Sequence, residues 1–256
     1  MATDVDALRA VTLAQRPGLD DLFYPEKRRI WPEFMFHDVY AGRLWHYLDD
    51  HFADHQIYLV DADDRPVAVA QTIPLFWDGI VKNLPIGWQD CFLRGTVDVD
   101  AGRSSNTLSA LEAAIMPEYR GQGVSYRLLN EVKALAARRG YTNVIVAVRP
   151  SLKHRYPLTP MQEYMRWTQA DGAPLDPWLR VHWRLGGEIL HMAHPSMVID
   201  GTVDEWEAWT GMRFPASGDY VVPDALVPVH MDRVANLGRY VEPNVWVQHR
   251  LHPSRQ

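Results

Sequence analysis

The sequence predicts an α/β protein of one large or two small domains, and three observations support the α/β prediction. Residues 107–148 follow the order strand, glycine-rich turn, helix and strand, an arrangement that usually joins two parallel strands. Residues 57–77 have the pattern of two strands around a turn at 62–65. Two further segments, 188–199 and 245–251, also have the composition of strands.

The elements before this central unit are a strand and several helices. Alternating apolar residues predict the first strand within 5–15. Residues 19–54 contain stretches of helical period that are broken near Pro25 and Pro32. Residues 78–105 show no regular pattern, so the sequence predicts an irregular segment there.

The central unit is the most regular part of the chain. The apolar run at 107–116 predicts a buried strand. From Val124 to Ala136, apolar residues recur at spacings of one, three and four, which indicates an amphipathic helix that ends before Gly140. The β-branched run at 143–148 then predicts the second strand of the unit.

Two helices and a long region between two strands follow the central unit. Thr159 and Gln162 form a candidate capping box, with Pro160 at the first helical position. Asp176, which precedes a proline, indicates the start of a second helix. The roughly forty-five residues at 200–244 are rich in Trp, Pro and Gly, and they are too many for a simple hairpin loop.

The composition argues against several classes of protein. The formal net charge is −6, from 26 basic and 32 acidic residues, which does not favour a general nucleic-acid binder. The single cysteine, Cys91, excludes an internal disulfide and fits a reducing compartment. The first residues are acidic where a secretory signal is basic, and no apolar stretch reaches the ~20 residues of a membrane span. We therefore expect a soluble, cytoplasmic protein with neither nucleic-acid nor membrane partners.

The turn Arg-Gly-Gln-Gly, residues 120–123, lies between the predicted strand and helix. The start of a helix leaves several backbone N–H groups unpaired, and together with the helix dipole they favour an anion such as a phosphate. Glycine at 121 and 123 removes the Cβ atoms that would keep a phosphate away. Alternatively, the segment is only a tight turn with Arg120 in a surface ion pair. Tyr126 stands where a dinucleotide-binding fingerprint needs glycine, and the P-loop triplet is missing.

The segment LEAAIMPEYRGQGVSYRLL resembles the acyl-CoA binding motif of the GNAT superfamily of N-acyltransferases. The motif is Arg or Gln, two residues, Gly, one residue, and Gly or Ala; Arg120 and Gly123 match it, and Ser125 takes the last place. The resemblance implies that backbone N–H groups of the turn hold the pyrophosphate of coenzyme A and that the preceding strand pairs with the pantetheine arm. The coenzyme-binding residues it implies are Ala114, Ile115, Met116, Arg120, Gly121, Gln122, Gly123, Val124 and Ser125.

The resemblance also implies a fold and an activity. The fold is a GNAT-like domain over 1–256, with a central mixed, mostly antiparallel sheet and helices on both faces. Insertions at about 78–105, 151–175 and 200–244 are expected to form the walls of an acceptor pocket. The implied activity is transfer of an acetyl or other acyl group from acetyl-CoA to the amine of a small-molecule acceptor, by direct attack and without a metal. The alternative is a non-catalytic acyl-CoA sensor or interaction module, and a homodimer is left open.

Three residues are candidates for the chemistry. His182 lies where family members often have a tyrosine, so it is a candidate acid or base, although a helix histidine can also be purely structural. Glu112 is the carboxylate in the middle of the motif strand and a candidate base. Strand alternation places it on the face of its small neighbours Ala110 and Ala114, whereas relatives with such a carboxylate usually place it on the opposite face. A water chain is an equal alternative, and Tyr156 is a further candidate donor, as is Tyr164.

Two other groups of residues leave alternatives open. Four basic residues follow the second strand of the central unit; they could bind an acceptor carboxylate or phosphate, bind the ribose phosphate of the coenzyme, or belong to a solvated loop. They are Arg149, Lys153, His154 and Arg155. Five aromatic residues in the next span fit either core packing or an aromatic acceptor pocket. They are Tyr156, Tyr164, Trp167, Trp178 and Trp183.

Overall fold

A computed structural model describes residues 5–251, and nine strands in this range form one sheet. The strands are β1 (Arg9–Thr12), β2 (Ile57–Val60), β3 (Pro66–Leu75), β4 (Thr107–Ile115), β5 (Asn143–Val148), β6 (Glu188–Gly201), β7 (Gly218–Tyr220), β8 (Val229–Asp232) and β9 (Leu237–Arg250). Their order is β1-β2-β3-β4-β5-β9-β8-β7, and β6 also pairs with β9. Among the described strands only the pair β4–β5 is parallel, which confirms the mixed, mostly antiparallel sheet.

Helices cover both faces of the sheet, as predicted. They are α1 (Leu19–Ile30), α2 (Val39–Leu44), α3 (His46–Asp50), α4 (Trp88–Asp100), α5 (Val124–Arg138), α6 (Met161–Tyr164), α7 (Pro177–Arg184) and α8 (Val203–Thr210). Helices α5, α6 and α7 bury apolar side chains against one face, and α1, α3 and α4 against the other. Within residues 5–251, no helix is both long and apolar enough to span a membrane.

The predicted strand–turn–helix–strand unit is confirmed as β4, α5 and β5. The apolar stripe of α5 faces the sheet, and Leu128, Val132 and Leu135 are buried there. Burial of each such side chain contributes about 1.5–3 kcal/mol. The helix ends at Arg138, and Gly140 has a φ of 77°, a backbone conformation that other residues rarely adopt.

The prediction of an irregular segment at 78–105 is wrong, because α4 occupies much of it. Glycine lowers helix propensity, which hid this helix in the sequence. At Gly95 the glycine is required by packing, since a Cβ atom there would lie 2.5 Å from the Ile73 side chain. Helix α1 likewise continues through Pro25 while it buries Leu19 and Phe23 against the sheet.

One prediction for the second half of the chain is also wrong. The capping box at Thr159 does not form, since α6 is only four residues long and has no side-chain cap. A capping box instead joins Thr202 and Glu205 at the start of α8. The region 200–244 is structured: it contains α8, β7, β8 and the first half of β9, packed around Trp206. The assignment of 1–256 to one domain with three insertions stays a prediction.

The strands β4 and β5 separate in the middle of the sheet. Their pairing joins residues 107–110 to residues 143–146, and beyond that point both strands continue without pairing to each other. A cleft therefore opens between them, with α5 and α7 on one side of the sheet and α1 on the other.

A β-bulge in β4 lies at the edge of this cleft. Gln71 pairs with Glu112 and the next residue, Thr72, pairs with Ala110, so Leu111 is the extra residue of the bulge. A bulge reverses the alternation of side chains that follow it. Glu112 consequently points toward α1 and not to the α5 face of Ala110, and the expectation of a shared face with Ala110 is wrong.

Candidate active site

A cavity of about 760 Å³ passes through the cleft between β4 and β5. On one side of the sheet, residues of the Arg-Gly-Gln-Gly turn, α5 and α7 line it. On the other side, its walls come from α1, the segment after α1 and β9. The cavity therefore connects the predicted coenzyme turn with a second chamber across the sheet.

The turn before α5 has the geometry of an anion site. Gly121 and Gly123 have φ values of 74° and 89°, which favour glycine. Within residues 5–251, no hydrogen bond uses the N–H groups of Gly123, Val124 or Ser125, at the start of α5. A Cβ atom at Gly121 would meet no protein atom within 4 Å, so the protein leaves space where an anion would approach. The residues present fit a phosphate group.

The neighbours of the turn are arranged around the same space. Arg120, Gly121, Val124 and Ser125 line the cavity. The Nε of Arg120 donates to the Ile115 carbonyl at 3.1 Å, so this contact does not match the surface ion pair of the alternative interpretation. The Gln122 side chain donates to the Glu118 carbonyl at 2.6 Å and braces the turn.

The three strand residues expected to contact the pantetheine arm differ in orientation. Ile115 lines the cavity. The N–H of Met116 donates to the Val67 carbonyl at 3.0 Å, on the side of β3. Backbone groups alternate between the two edges of a strand, so Ala114 shares this orientation while Ile115 presents its backbone to the cleft.

Glu112 lies in the cavity wall on the side of α1 and is 9% exposed. Its Oε1 accepts a hydrogen bond from Trp31 Nε1 at 2.6 Å. Its Oε2 lies 3.2 Å from Lys27 Nζ and has no hydrogen-bond partner among the described residues. One oxygen of this buried carboxylate is thus held by a hydrogen bond from Trp31, and the other by the ion pair with Lys27.

Lys27 forms the ion pair that balances the charge of Glu112. Its Nζ also lies 3.2 Å from Asp20 Oδ1 and 4.9 Å from the centre of the Trp45 ring. Burial acts to lower the pKa of Lys27, but the carboxylates of Glu112 and Asp20 outweigh it and raise this pKa. Lys27 is therefore charged at neutral pH.

His182 lies in the cavity wall on the side of α5 and is fully buried. Its Nδ1 is 3.0 Å from His249 Nε2, and its Nε2 has no partner among the described residues. Burial lowers the pKa of His182 well below the ordinary value of 6.5, and the nearby His249 and Lys133 lower it further. The imidazole is therefore neutral at pH 7, and its buried Nε2 can donate or accept one hydrogen bond.

The candidate tyrosines are not brought to this cavity. Tyr156 is 41% exposed and is not part of the cavity wall; its ring packs 5.0 Å from that of Trp167. Tyr164 is buried and donates from its hydroxyl to Asp176 at 2.8 Å, and burial raises its pKa above the ordinary value. Of the aromatic group in this span, Trp178 lines the cavity.

Several contacts in the site carry no signal in the sequence, although Arg149 itself is a candidate anion-binding residue. Lys27 and Trp31 belong to α1 and the residue after it, and they meet Glu112 across more than eighty positions. Arg149 follows β5 and pairs with Glu242 of β9, whose Oε2 lies 2.9 Å from its Nε. Such contacts depend on the sheet order. Only a charged residue inside an otherwise apolar stretch, as at Glu242, could have pointed to them.

Comparisons with known proteins agree with this geometry. A family model described as the acetyltransferase (GNAT) family matches residues 17–158. The chain is 32% identical to the arginine N-acetyltransferase avaD of Aspergillus versicolor, over 94% of this chain and 93% of that protein. This likeness to an enzyme over nearly the whole chain favours catalysis over a sensor.

Solved structures show the same fold. The loading GNATL domain of CurA from Lyngbya majuscula has a TM-score of 0.58 at 18% identity, over 95% of this chain and 96% of that one. The GphF GNAT-like decarboxylase in complex with isobutyryl-CoA has a TM-score of 0.54 at 17% identity, over 96% and 99%. With the family model and the curated relative, these likenesses lead to one conclusion: the chain belongs to the GNAT acetyltransferase family and is an acyl-CoA-dependent N-acyltransferase.

Proposed function

We propose that the protein transfers the acetyl group of acetyl-CoA to an amine of a small cationic acceptor, with arginine as the first candidate. The observation that supports this most is one continuous cavity whose wall contains the turn before α5 and, across the sheet, Glu112. The arginine N-acetyltransferase named above supports the choice of acceptor.

The walls of the second chamber fit a cation. Carboxylates of Asp20, Glu112 and Glu242 line it. The rings of Trp31 and Trp45 also line it, and an aromatic face attracts a guanidinium or ammonium group. Because Lys27 and Arg149 pair with these carboxylates, the charge of the wall is balanced, and the chamber offers a cationic acceptor aromatic surface and carboxylate hydrogen-bond acceptors.

On the coenzyme side, the start of α5 would hold the pyrophosphate. The N–H groups of Gln122, Gly123, Val124 and Ser125 would donate to its oxygens, and Arg120 would add a positive charge. The backbone of Ile115 would pair with the pantetheine arm. This arrangement would place the thioester in the cleft, within reach of the second chamber.

Two residues would then assist the transfer. Glu112 would accept the proton that the acceptor ammonium must lose, and Lys27 would hold Glu112 in place through their ion pair. The neutral His182 would donate one hydrogen bond from Nε2 to the departing sulfur. Because its imidazole has a lowered pKa, we assign it a hydrogen bond to the thiolate and not the supply of a full proton. Tyr156 has no role in this proposal, because it lies outside the cavity wall.

The test is release of free thiol from acetyl-CoA with a panel of amines. The panel contains arginine, lysine, agmatine, spermidine and tryptamine, and the acetylated product is identified by mass spectrometry. Turnover of arginine or agmatine above the others supports the proposal. Turnover of tryptamine alone, or no turnover at all, contradicts it.

We also propose a cytoplasmic location and keep the expectation that no nucleic acid, membrane or metal takes part. Cys91 is buried, and burial raises the pKa of its thiol to about 12, so it is unreactive.

A homodimer is consistent with exposed apolar side chains such as Leu93 and Val97 on α4. Sedimentation equilibrium tests the dimer, and a single species of monomer mass contradicts it.

A further inference from the structure

We propose that Arg149 binds the carboxylate of the acceptor, so that the enzyme selects a free amino acid over a simple amine. This inference rests on the acyl transfer proposed above. It begins from the four basic residues that follow β5, which fall into different roles once their contacts are known.

Lys153 and Arg155 are unsuited to bind the acceptor. Lys153 is fully buried, and its Nζ donates to the backbone carbonyls of Tyr156 at 2.8 Å and Leu226 at 2.6 Å. It therefore joins two loops and is not free for an anion. Arg155 is exposed and lies outside the cavity wall.

Arg149 is held in one orientation in the cavity wall. Its Nε donates to Glu242 Oε2 at 2.9 Å, and its Nη2 donates to the Asp224 carbonyl at 2.6 Å. Neither hydrogen bond uses Nη1. The guanidinium also lies 6.0 Å from the centre of the Trp31 ring. A fixed, planar donor at a cavity wall is the geometry that recognises a carboxylate.

Glu242 acts as the support for this orientation. It is fully buried, and besides Arg149 it accepts from the Tyr240 hydroxyl at 2.7 Å and from Asn244 Nδ2 at 2.9 Å. Three donors on one carboxylate leave it little freedom to move. The guanidinium is thus oriented before the acceptor arrives, which reduces the entropy lost on binding.

Trp31 relates this subsite to the reacting centre. Its Nε1 donates to Glu112, and its ring lies beside Arg149. An amino acid in the chamber would therefore place its amine near Glu112 while its carboxylate reaches Nη1 of Arg149. Lys27 competes poorly as the anion site, because Asp20 and Glu112 already surround its Nζ at 3.2 Å.

The test compares three acceptors that differ at the carboxylate. Arginine has it, argininamide replaces it with a neutral amide, and agmatine lacks it. The wild-type kcat/KM should be about 10- to 100-fold higher for arginine than for the other two, the range expected for a hydrogen bond to a charged group. The amine of argininamide is less basic than that of arginine. A lower kcat/KM for argininamide is therefore not caused by a smaller fraction of free amine.

The variant Arg149→Lys keeps the positive charge beside Glu242 but removes the planar fork. It should lower kcat/KM for arginine about 10-fold or more and change the values for argininamide and agmatine little. Arg155→Lys is the matched control on the exposed part of the same segment and should change none of them. Thermal unfolding of each variant verifies folding, and the wild-type comparison remains decisive if Arg149→Lys fails to fold.

The outcomes separate this inference from the proposed function. Equal wild-type kcat/KM for arginine and argininamide overturns the role of Arg149 while acyl transfer stands. An equal loss for all three acceptors in Arg149→Lys also overturns it. No transfer to any of the three by the wild type contradicts the proposed function itself.

Discussion

Replacement of Glu112 by glutamine tests the proposed base with little change of shape. The amide oxygen of Glu112→Gln can still accept the hydrogen bond from Trp31, which is 2.6 Å long in the wild type. The variant loses the charge that lies 3.2 Å from Lys27 Nζ, but Lys27 keeps Asp20 at 3.2 Å. An unpaired buried charge costs about 3–5 kcal/mol. With Asp20 still present, we expect a smaller loss of stability, about 1–3 kcal/mol.

The effect on catalysis should be much larger than the effect on folding. A loss of about 1–3 kcal/mol lowers the Tm by roughly 2–12 °C in a protein of this size, so the variant stays folded at 25 °C. Removal of a general base lowers the rate by about 10²- to 10⁴-fold. We therefore expect kcat to fall by this factor while the affinity for acetyl-CoA is unchanged, because the coenzyme turn lies across the sheet.

The assay is steady-state thiol release with arginine, run beside calorimetric titration of acetyl-CoA. Activity of the variant should recover in part at high pH, since free amine then forms without a base. Glu131→Gln is the control, as Glu131 makes a surface ion pair with Arg127 at 3.1 Å outside the cavity wall. A kcat for Glu112→Gln within a few-fold of wild type would refute the reasoning and leave Glu112 as a structural partner of Lys27.

Three further predictions concern the coenzyme turn and the buried histidines. Gly123→Glu should abolish acetyl-CoA binding in calorimetry, because a side chain and a negative charge enter the anion site and φ is 89° there; unchanged affinity would disprove this placement. His182→Ala should lower kcat about 10- to 100-fold with little change in coenzyme affinity, and equal turnover would make His182 purely structural. Burial lowers the pKa of His249 to about 4, against about 6.5 when unfolded, so the unfolded state binds the proton more tightly. The stabilisation from neutral His249 should therefore be fully present above about pH 6.5, and the free energy of unfolding should fall by about 3 kcal/mol as the pH drops to 4. In denaturant titrations, the free energy of unfolding should fall less for His249→Gln than for the wild type over this pH range. An equal fall in both proteins would contradict the assignment to His249.

The central unit could be predicted from the sequence because its signals are local. Two glycines in the turn and the apolar stripe of α5 determine their own conformations from neighbours a few residues away. The orientation of Glu112 could not be predicted in this way. It depends on the bulge at Leu111, which exists only relative to the register of β3.

The acceptor side of the site was hidden for a related reason. Arg149 and Glu242 are 93 positions apart, and their contact requires β9 to insert beside β5. The sequence predicts only the second half of β9, at 245–251, and nothing local in that segment indicates which strand it pairs with. Family resemblance supplied the order of elements but not these side chains.

The most direct test of the whole account is a crystal structure of the protein with coenzyme A and arginine. The pyrophosphate should lie on the turn before α5, the sulfur in the cleft between β4 and β5 near His182, and an arginine amine beside Glu112. Coenzyme A bound elsewhere, or arginine outside the chamber lined by Glu112, would contradict it.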